Sequence, residues 1–316
     1  MLGRMSVAGA VPDPSGPPEL QPGLRPGLPG LPGSTAEPGE GPAEPGILDA
    51  LLDDGSARRL PLGDALALHR ALVGGDLRDL VAALVVPAAR ASELPDVLTA
   101  ADLGLRVLLA ADDDAAEGGP VAGLQALDDA RSALWDEDRL ELVGRRLPLP
   151  PNTPDPAAMA AALLPVLAST VPTWITLPPD ASDAALDVLA ADGAEHVALD
   201  LSGDPVAVAR LLRALVDREL TFRTTGVPEA VAGAGAAAGA LTALCAVRAA
   251  LNGAEPAELA QVLAAVGPGP LVSAVRRMSA ADGAVVRAFL VAAEVPDATA
   301  AAEHLRDLGL LDDTFS

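Results

Sequence analysis

No lysine occurs in this 316-residue sequence; all 21 basic residues are arginine. A Schiff-base enzyme needs an amine and a P-loop needs its Lys, so both chemistries are excluded in their usual forms. Tyrosine is missing too, and aromatic residues amount to 2% of the chain, which removes the stacking platforms used for single-stranded nucleic acid and for flat ligands. The single cysteine, Cys245, has no partner for an internal disulfide. Nothing in the covalent chemistry then points to an oxidising compartment, and the expected location is cytoplasmic. No Leu-rich run follows Arg4, and the chain soon turns to closely spaced Pro and Gly where a secretory signal would carry its apolar stretch, so no export signal is expected. The uncharged run at 231–247 is mostly Ala and Gly, short of the ~20 strongly apolar residues that span a bilayer. It reads as a buried helix, and no membrane partner is expected.

Cations are also outnumbered. The net charge is -23, so a phosphate backbone or an anionic membrane is repelled over most of the surface, and nucleic acid is not an expected partner. Hydrophobic residues make up 50% of the chain. Much of that share is Ala, so the core must rely on close approach of small side chains around Leu and Val.

Residues 1–45 carry closely spaced Pro and Gly, which deny both helix and sheet and leave too little apolar surface to offset chain entropy. They are expected to be a disordered tail, followed by a single α/β domain at 46–316. From Gly46 the spacing turns helical, with Ile47, Leu51 and Leu52 on one face and then Leu62, Leu66, Leu68 and Leu72, so two short helices are expected first. Strand-length apolar runs then alternate with amphipathic segments. LVAALVVPA precedes ASELPDVLTAAD, LRVLLAAD precedes VAGLQALDDARSALW, and RLELVGRRLPL precedes DPAAMAAALLPVLAS. TWITLPP, HVALDLS and LTFRTTG continue the series, each with its helix, the last one Ala-rich.

Six strand–helix units in a row point to a parallel sheet, because each parallel pairing needs a crossover helix. Helix starts are expected near Ser92, Asp155, Ser182 and Asp204. A seventh candidate strand, VVRAFLVA at 285–292, leaves the count one short of a closed (β/α)8 barrel. The expected fold class is therefore a TIM-barrel-like α/β repeat, incomplete or distorted. An open doubly wound sheet is the alternative, but it needs a Gly-rich turn after its first strand, which here ends VVPAAR. The Gly233, Gly235 and Gly239 spacing looks like a dinucleotide fingerprint but lies past the sixth strand, inside an expected helix, and reads as close helix packing.

Two strings carry a family likeness. Phe222, Arg223, Thr224, Thr225 and Gly226 form one, and the run Leu305, Arg306, Asp307, Leu308, Gly309, Leu310 and Leu311 the other. Over roughly residues 75 to 312, the unit order and these strings resemble an uncharacterised family of barrel-like bacterial proteins. In that family a late strand reads F-K/R-x-T-x-G before L-H-H, and the chain closes with L-R-x-L-G-L-L. Here Gly226 is followed by Val227 and Pro228, and LVAAEVPDATAAAEHL after Phe289 has none of the Ser, Gly or Cys of the family's last strand. The late strand is also similar to the K-T-S-T-G of deoxyribose-phosphate aldolase-like barrels, whose Lys forms a Schiff base. Arg223 holds that place and cannot do this chemistry, since a guanidinium stays protonated.

In such a barrel the C-terminal strand ends carry function, which singles out Arg90, Asp112, Arg145, Asp200, Arg223, Thr224 and Thr225. Asp200 and Arg223 come from adjacent units and are expected to face each other across the mouth, either as an ion pair or as a ligand site. In the ligand site Arg223 would grip a carboxylate or phosphate while Thr224 and Thr225 donate hydrogen bonds. Asp112, Asp113 and Asp114 have the composition of a hard-cation site but read as a solvated loop. His69, His196 and His304 lack ligand spacing and read as surface or edge residues, so no metal centre and no cofactor are implied. Cys245 reads as an inert buried thiol, and Trp135 and Trp174 as packing anchors.

Two readings follow. One is a degenerate barrel acting as a non-catalytic binding or scaffold protein, in keeping with the scarcity of His, Lys, Cys and Tyr at mouth positions. The other is a small-molecule enzyme or binding protein recognising an anionic metabolite. A deep mouth lined by Asp200, Arg223 and Thr225 favours the second, and a mouth plugged by apolar side chains the first.

Overall fold

Short apolar runs become parallel strands here because each is covered on both faces. In the computed structural model these are β1 (Leu52–Asp54), β2 (Val81–Pro87), β3 (Leu105–Ala110), β4 (Leu140–Pro148), β5 (Thr173–Leu177), β6 (Val197–Asp200), β7 (Phe222–Thr225) and β8 (Leu290–Val295). They pair in chain order, and β8 pairs with β1, so the sheet closes into an eight-stranded parallel barrel. The structure describes residues 46–111, 119–149, 155–167, 171–178, 181–191, 197–265 and 267–311. The expected tail at 1–45, together with Asp112, Asp113, Asp114 and His196, lies outside the described residues.

The helices are α1 (Leu62–Val73), α2 (Leu94–Val97), α3 (Pro120–Ala133), α4 (Pro156–Leu167), α5 (Asp183–Ala191), α6 (Pro205–Asp217), α7 (Ala238–Leu251), α8 (Pro256–Leu263), α9 (Pro268–Arg276), α10 (Ala280–Phe289) and α11 (Ala298–Asp307). Their starts follow the capping chemistry of the sequence. Asp204 accepts the Ala207 amide at 3.1 Å with Pro205 opening α6, and Asp155 accepts the Ala158 amide at 2.9 Å. Ser92 begins no α-helix, because the β2–β3 connection is mostly 3-10 turns around the four-residue α2. Among the described residues no single helix is long and apolar enough to cross a membrane.

The barrel closes through two segments whose sequence suggests other structure. The helical spacing of Ile47, Leu51 and Leu52 is overridden at Ala50, whose φ of 48 ends the turn. The next three residues form β1, paired with β2 on one side and β8 on the other. The stretch at 285–292 is not one strand but a junction: α10 runs to Phe289 and β8 starts at Leu290. Gly233 and Gly235 also differ from expectation, since they precede α7, and only Gly239 lies within it.

Two apolar layers result. The larger lies between the sheet and the helices, with Leu52, Leu84, Leu109, Ile175, Leu199 and Phe222 among its fully buried members. The smaller fills the barrel with Ala83, Val85, Leu108, Ala110, Trp174 and Ala198. Most of these inner side chains are small, and Gly144 belongs with them: a Cβ there would stand 2.9 Å from Trp174 Nε1 and 3.0 Å from Leu108 Cδ1. The barrel is thus packed around one indole, with room left for charged side chains.

The helix-poor β2–β3 connection is held by a carboxylate. Asp102 accepts from Arg70 Nε at 2.5 Å and from Arg70 Nη2 at 2.6 Å, while Thr99 donates its amide at 2.5 Å and its hydroxyl at 2.9 Å. Burial alone raises this carboxyl, but the Arg70 and Thr99 hydrogen bonds outweigh it and hold the group at about 2. A carboxyl depressed on folding stabilises above its unfolded value near 4 and loses that contribution as pH falls toward 2. Asp102→Asn is therefore expected to lower stability by about 2 kcal/mol at pH 7 and by little at pH 2. Denaturant titrations of both forms at the two pH values test this.

Candidate functional site

Charge enters the barrel interior on β7. Phe222 and Thr224 point to the helices, so the alternation of β7 turns Arg223 and Thr225 inward. Arg223 is 5% exposed and its Nη1 donates to Asp53 Oδ2 of β1, itself 1% exposed. The guanidinium lies over the Trp174 ring with its carbon 4.9 Å from the centroid. Asp53 Oδ1 and Arg223 Nε are buried without a hydrogen-bond partner among the described residues. This layer forms a floor and not a mouth.

Above the floor, at the C-terminal strand ends, lies a cavity of about 380 Å³. Its charged lining is Arg58 from the β1–α1 connection, Arg146 from β4, Asp200 from β6 and Glu294 from β8. Thr176, Ser202 and Thr225 bring hydroxyls to the same wall. Glu294 binds both guanidiniums: Oε1 is 2.8 Å from Arg58 Nε, and Oε2 accepts from Arg146 Nη1. Burial raises its carboxyl, but Arg146 and Arg58 outweigh that and hold it below the ordinary value. Asp200 Oδ1 accepts from the Ser202 amide at 2.9 Å and from its hydroxyl at 2.8 Å. Gly226 follows with φ +67, and a Cβ there would run into that oxygen.

Arg146 and Glu294 point inward because the strand register shifts. Val107 sits opposite Leu142 but Leu108 sits opposite Gly144, so β4 carries one extra residue there. Val143 packs on the inner cluster, and strict alternation would then send Arg145 inward as well. The extra residue reverses this: Arg145 turns outward to Asp128 of α3 at 2.7 Å, and Arg146 turns in. On β8, Leu290 faces Phe222 while Ala293 faces Thr224, and the same one-residue slip puts Glu294 on the inside with Val291.

The residues expected at the mouth therefore separate. Asp200 and Thr225 line the cavity. Arg223 pairs with Asp53 one layer below and does not face Asp200, and Thr224 is 2% exposed on the helix side of β7. Arg90 donates to the carbonyls of Ala57 and Leu60, both at 2.7 Å, and clamps the chain between β1 and α1. Arg58, Arg146 and Glu294 were not singled out by sequence reasoning. Arg58 sits in a connection that reads as a break, and the other two sit past a slip in the alternation.

The remaining reactive groups lie elsewhere. His69 is not a surface residue: it is 2% exposed, with Nδ1 3.0 Å from Asp54 Oδ2 on the outer side of β1. Asp54 is held low because that imidazole and the Ser56 amide outweigh its burial. His304 is half-buried against Gly235, where Nδ1 accepts the Ala237 amide at 3.3 Å. Burial pushes the Cys245 thiol up to about 12, only partly offset by Arg248 and Arg277. Trp174 is a packing anchor, but Trp135 is 74% exposed with Arg131 alongside its ring. Among the described residues no three His, Cys, Asp or Glu side chains converge as a metal centre. A second hollow, of about 320 Å³, is lined mainly by Ala methyls of α3 and the β2–β3 connection. Comparison with protein-family models, with curated proteins and with solved structures finds no match to this chain.

Removing one partner of the floor pair strands the other. Arg223→Ala is expected to destabilise by about 3–5 kcal/mol, whereas Arg223→Met combined with Asp53→Leu recovers most of the loss, because the pair goes together. Chemical denaturation of the single and double variants checks this. Gly226→Ala is expected to cost about 1–2 kcal/mol from the left-handed backbone alone. It should also displace Asp200, seen as a lower unfolding temperature.

Proposed function

We propose that this chain is a cytoplasmic binding barrel that holds a small anionic molecule at its mouth without performing chemistry on it. The observation that carries the reading is the convergence of Arg58 and Arg146 on one polar cavity whose volume, about 380 Å³, suits a small metabolite. Each guanidinium uses one nitrogen on Glu294 and keeps other N–H groups for a ligand. Ser202, Thr176 and Thr225 add hydroxyls that orient it.

The case against catalysis rests on protonation. Glu294 is held ionised between two guanidiniums and is a poor proton donor at neutral pH. Arg223 stands where the aldolase-like barrels carry their Schiff-base Lys, and it is engaged with Asp53 beneath the mouth. The scaffold reading retains one observation. Leu103 and Trp135, 78% and 74% exposed, precede β3 and β4 and so lie at the end of the barrel opposite the mouth.

Thermal unfolding of the full chain with small carboxylates and phosphates tests the proposal. A ligand present at a hundred times its Kd stabilises by about 2.7 kcal/mol, a rise of roughly 5–10 °C for a domain of this size. The rise should shrink in Arg58→Gln and in Arg146→Gln. No rise with any anion, or a rise that survives both substitutions, refutes the mouth as the site and leaves the scaffold reading.

A further inference from the structure

The two signs of charge in the mouth are not mixed. Arg58 and Arg146 share the single carboxylate of Glu294, which Arg146 reaches across the mouth from β4 to β8, leaving a net positive charge of one. Arg146 is 7% exposed and, apart from its bond to Glu294, its guanidinium meets no hydrogen-bond partner among the described residues. On the β6 and β7 side stands Asp200, whose Oδ1 is taken by Ser202 while Oδ2 accepts from no described residue. Because β5 alone separates β4 from β6, the two poles stand on the order of 10 Å apart at the backbone. Both poles line the one cavity of about 380 Å³.

We propose that the mouth takes a small zwitterion, with its carboxylate or phosphate on Arg58 and Arg146 and its ammonium group on Asp200. This rests on the anion-binding reading above and adds the second pole. It also resolves a conflict in that reading. A chain of net charge -23 repels a simple anion at long range, whereas an ammonium group cancels one negative charge, making an amino carboxylate neutral and a phosphate monoester less anionic, and so lowers that barrier. A simple anion would further leave the Asp200 carboxylate facing it across a cavity of about 380 Å³, and an ammonium converts that repulsion into a charge-assisted hydrogen bond.

Calorimetric titration of the full chain with two matched pairs separates the two ideas. Phosphoethanolamine is compared with ethyl phosphate, and 3-aminopropionate with propionate, so that each pair differs in the ammonium. At least one zwitterion should bind about tenfold tighter than its partner. Asp200→Asn keeps an Oδ1 acceptor for the Ser202 amide and should bring the pair to within about twofold of each other. Arg58→Gln, at the exposed rim, should weaken both members of that pair. Equal affinities within each pair, with dependence on Arg58 retained, overturn the zwitterion and leave the anion site standing. A preference that survives Asp200→Asn also overturns it. No binding of any of the four removes the anion site, and the zwitterion with it.

Discussion

The Arg223–Asp53 pair inside the barrel is the contact on which the rest of the architecture turns. Taking both charges out of water costs more than their attraction returns unless the surroundings add to it, and here the Trp174 face does. Such a pair contributes little net stability, but it is selective about geometry. β1 is three residues long, and only Leu52 is apolar. A slip of one residue would either present Leu52 to Arg223 and leave the guanidinium buried without its counter-ion, or present Asp54 and take that carboxylate away from His69. The pair therefore fixes the register of the shortest strand at the seam where the barrel closes. Arg287 secures the same seam from below by donating to the carbonyls of Asp49, Ala50, Leu290 and Val291.

The inner packing follows from that layer. An indole and a guanidinium occupy the middle of the barrel, so the strands around them must carry small residues, and Ala83, Ala110, Gly144 and Ala198 do. The same layer seals the mouth from beneath and sets its depth. The cavity at the mouth is lined by Arg58, Arg146, Glu294 and Asp200.

Strand–helix alternation was legible from residue 80 onward because strand-length segments such as VAALVVP and LRVLLA alternate there with amphipathic segments of helix length. β1 was not legible. Two of its three residues are acids, and they are buried only because Arg223 and His69 wait on its two faces. No local pattern encodes partners 170 and 15 residues away. β8 was misplaced by a few residues because α10 and β8 share one apolar run, and the backbone changes conformation at Leu290 without Gly or Pro to mark it. At the site, position at the C-terminal end of a strand identified Asp200 and Thr225 on β6 and β7. The same criterion named Arg145 and not Arg146 on β4, and a strand-end position alone does not show that the extra residue near Gly144 turns Arg146 inward.

An all-arginine composition now has a chemical consequence at the mouth. A lysine beside Glu294 and Asp200 would be a compact charge whose pKa moves with burial, the usual route to a nucleophilic or basic amine. A guanidinium keeps its charge and offers several donors in one plane, so Arg58 and Arg146 can each hold Glu294 and still face the cavity. Arg146 and Arg58 outweigh the burial of Glu294 and hold its carboxyl below the ordinary value, so it stays ionised at neutral pH. A wall of fixed charges orients a ligand well and transfers protons poorly, and that asymmetry is the physical ground for reading the barrel as a holder of its ligand.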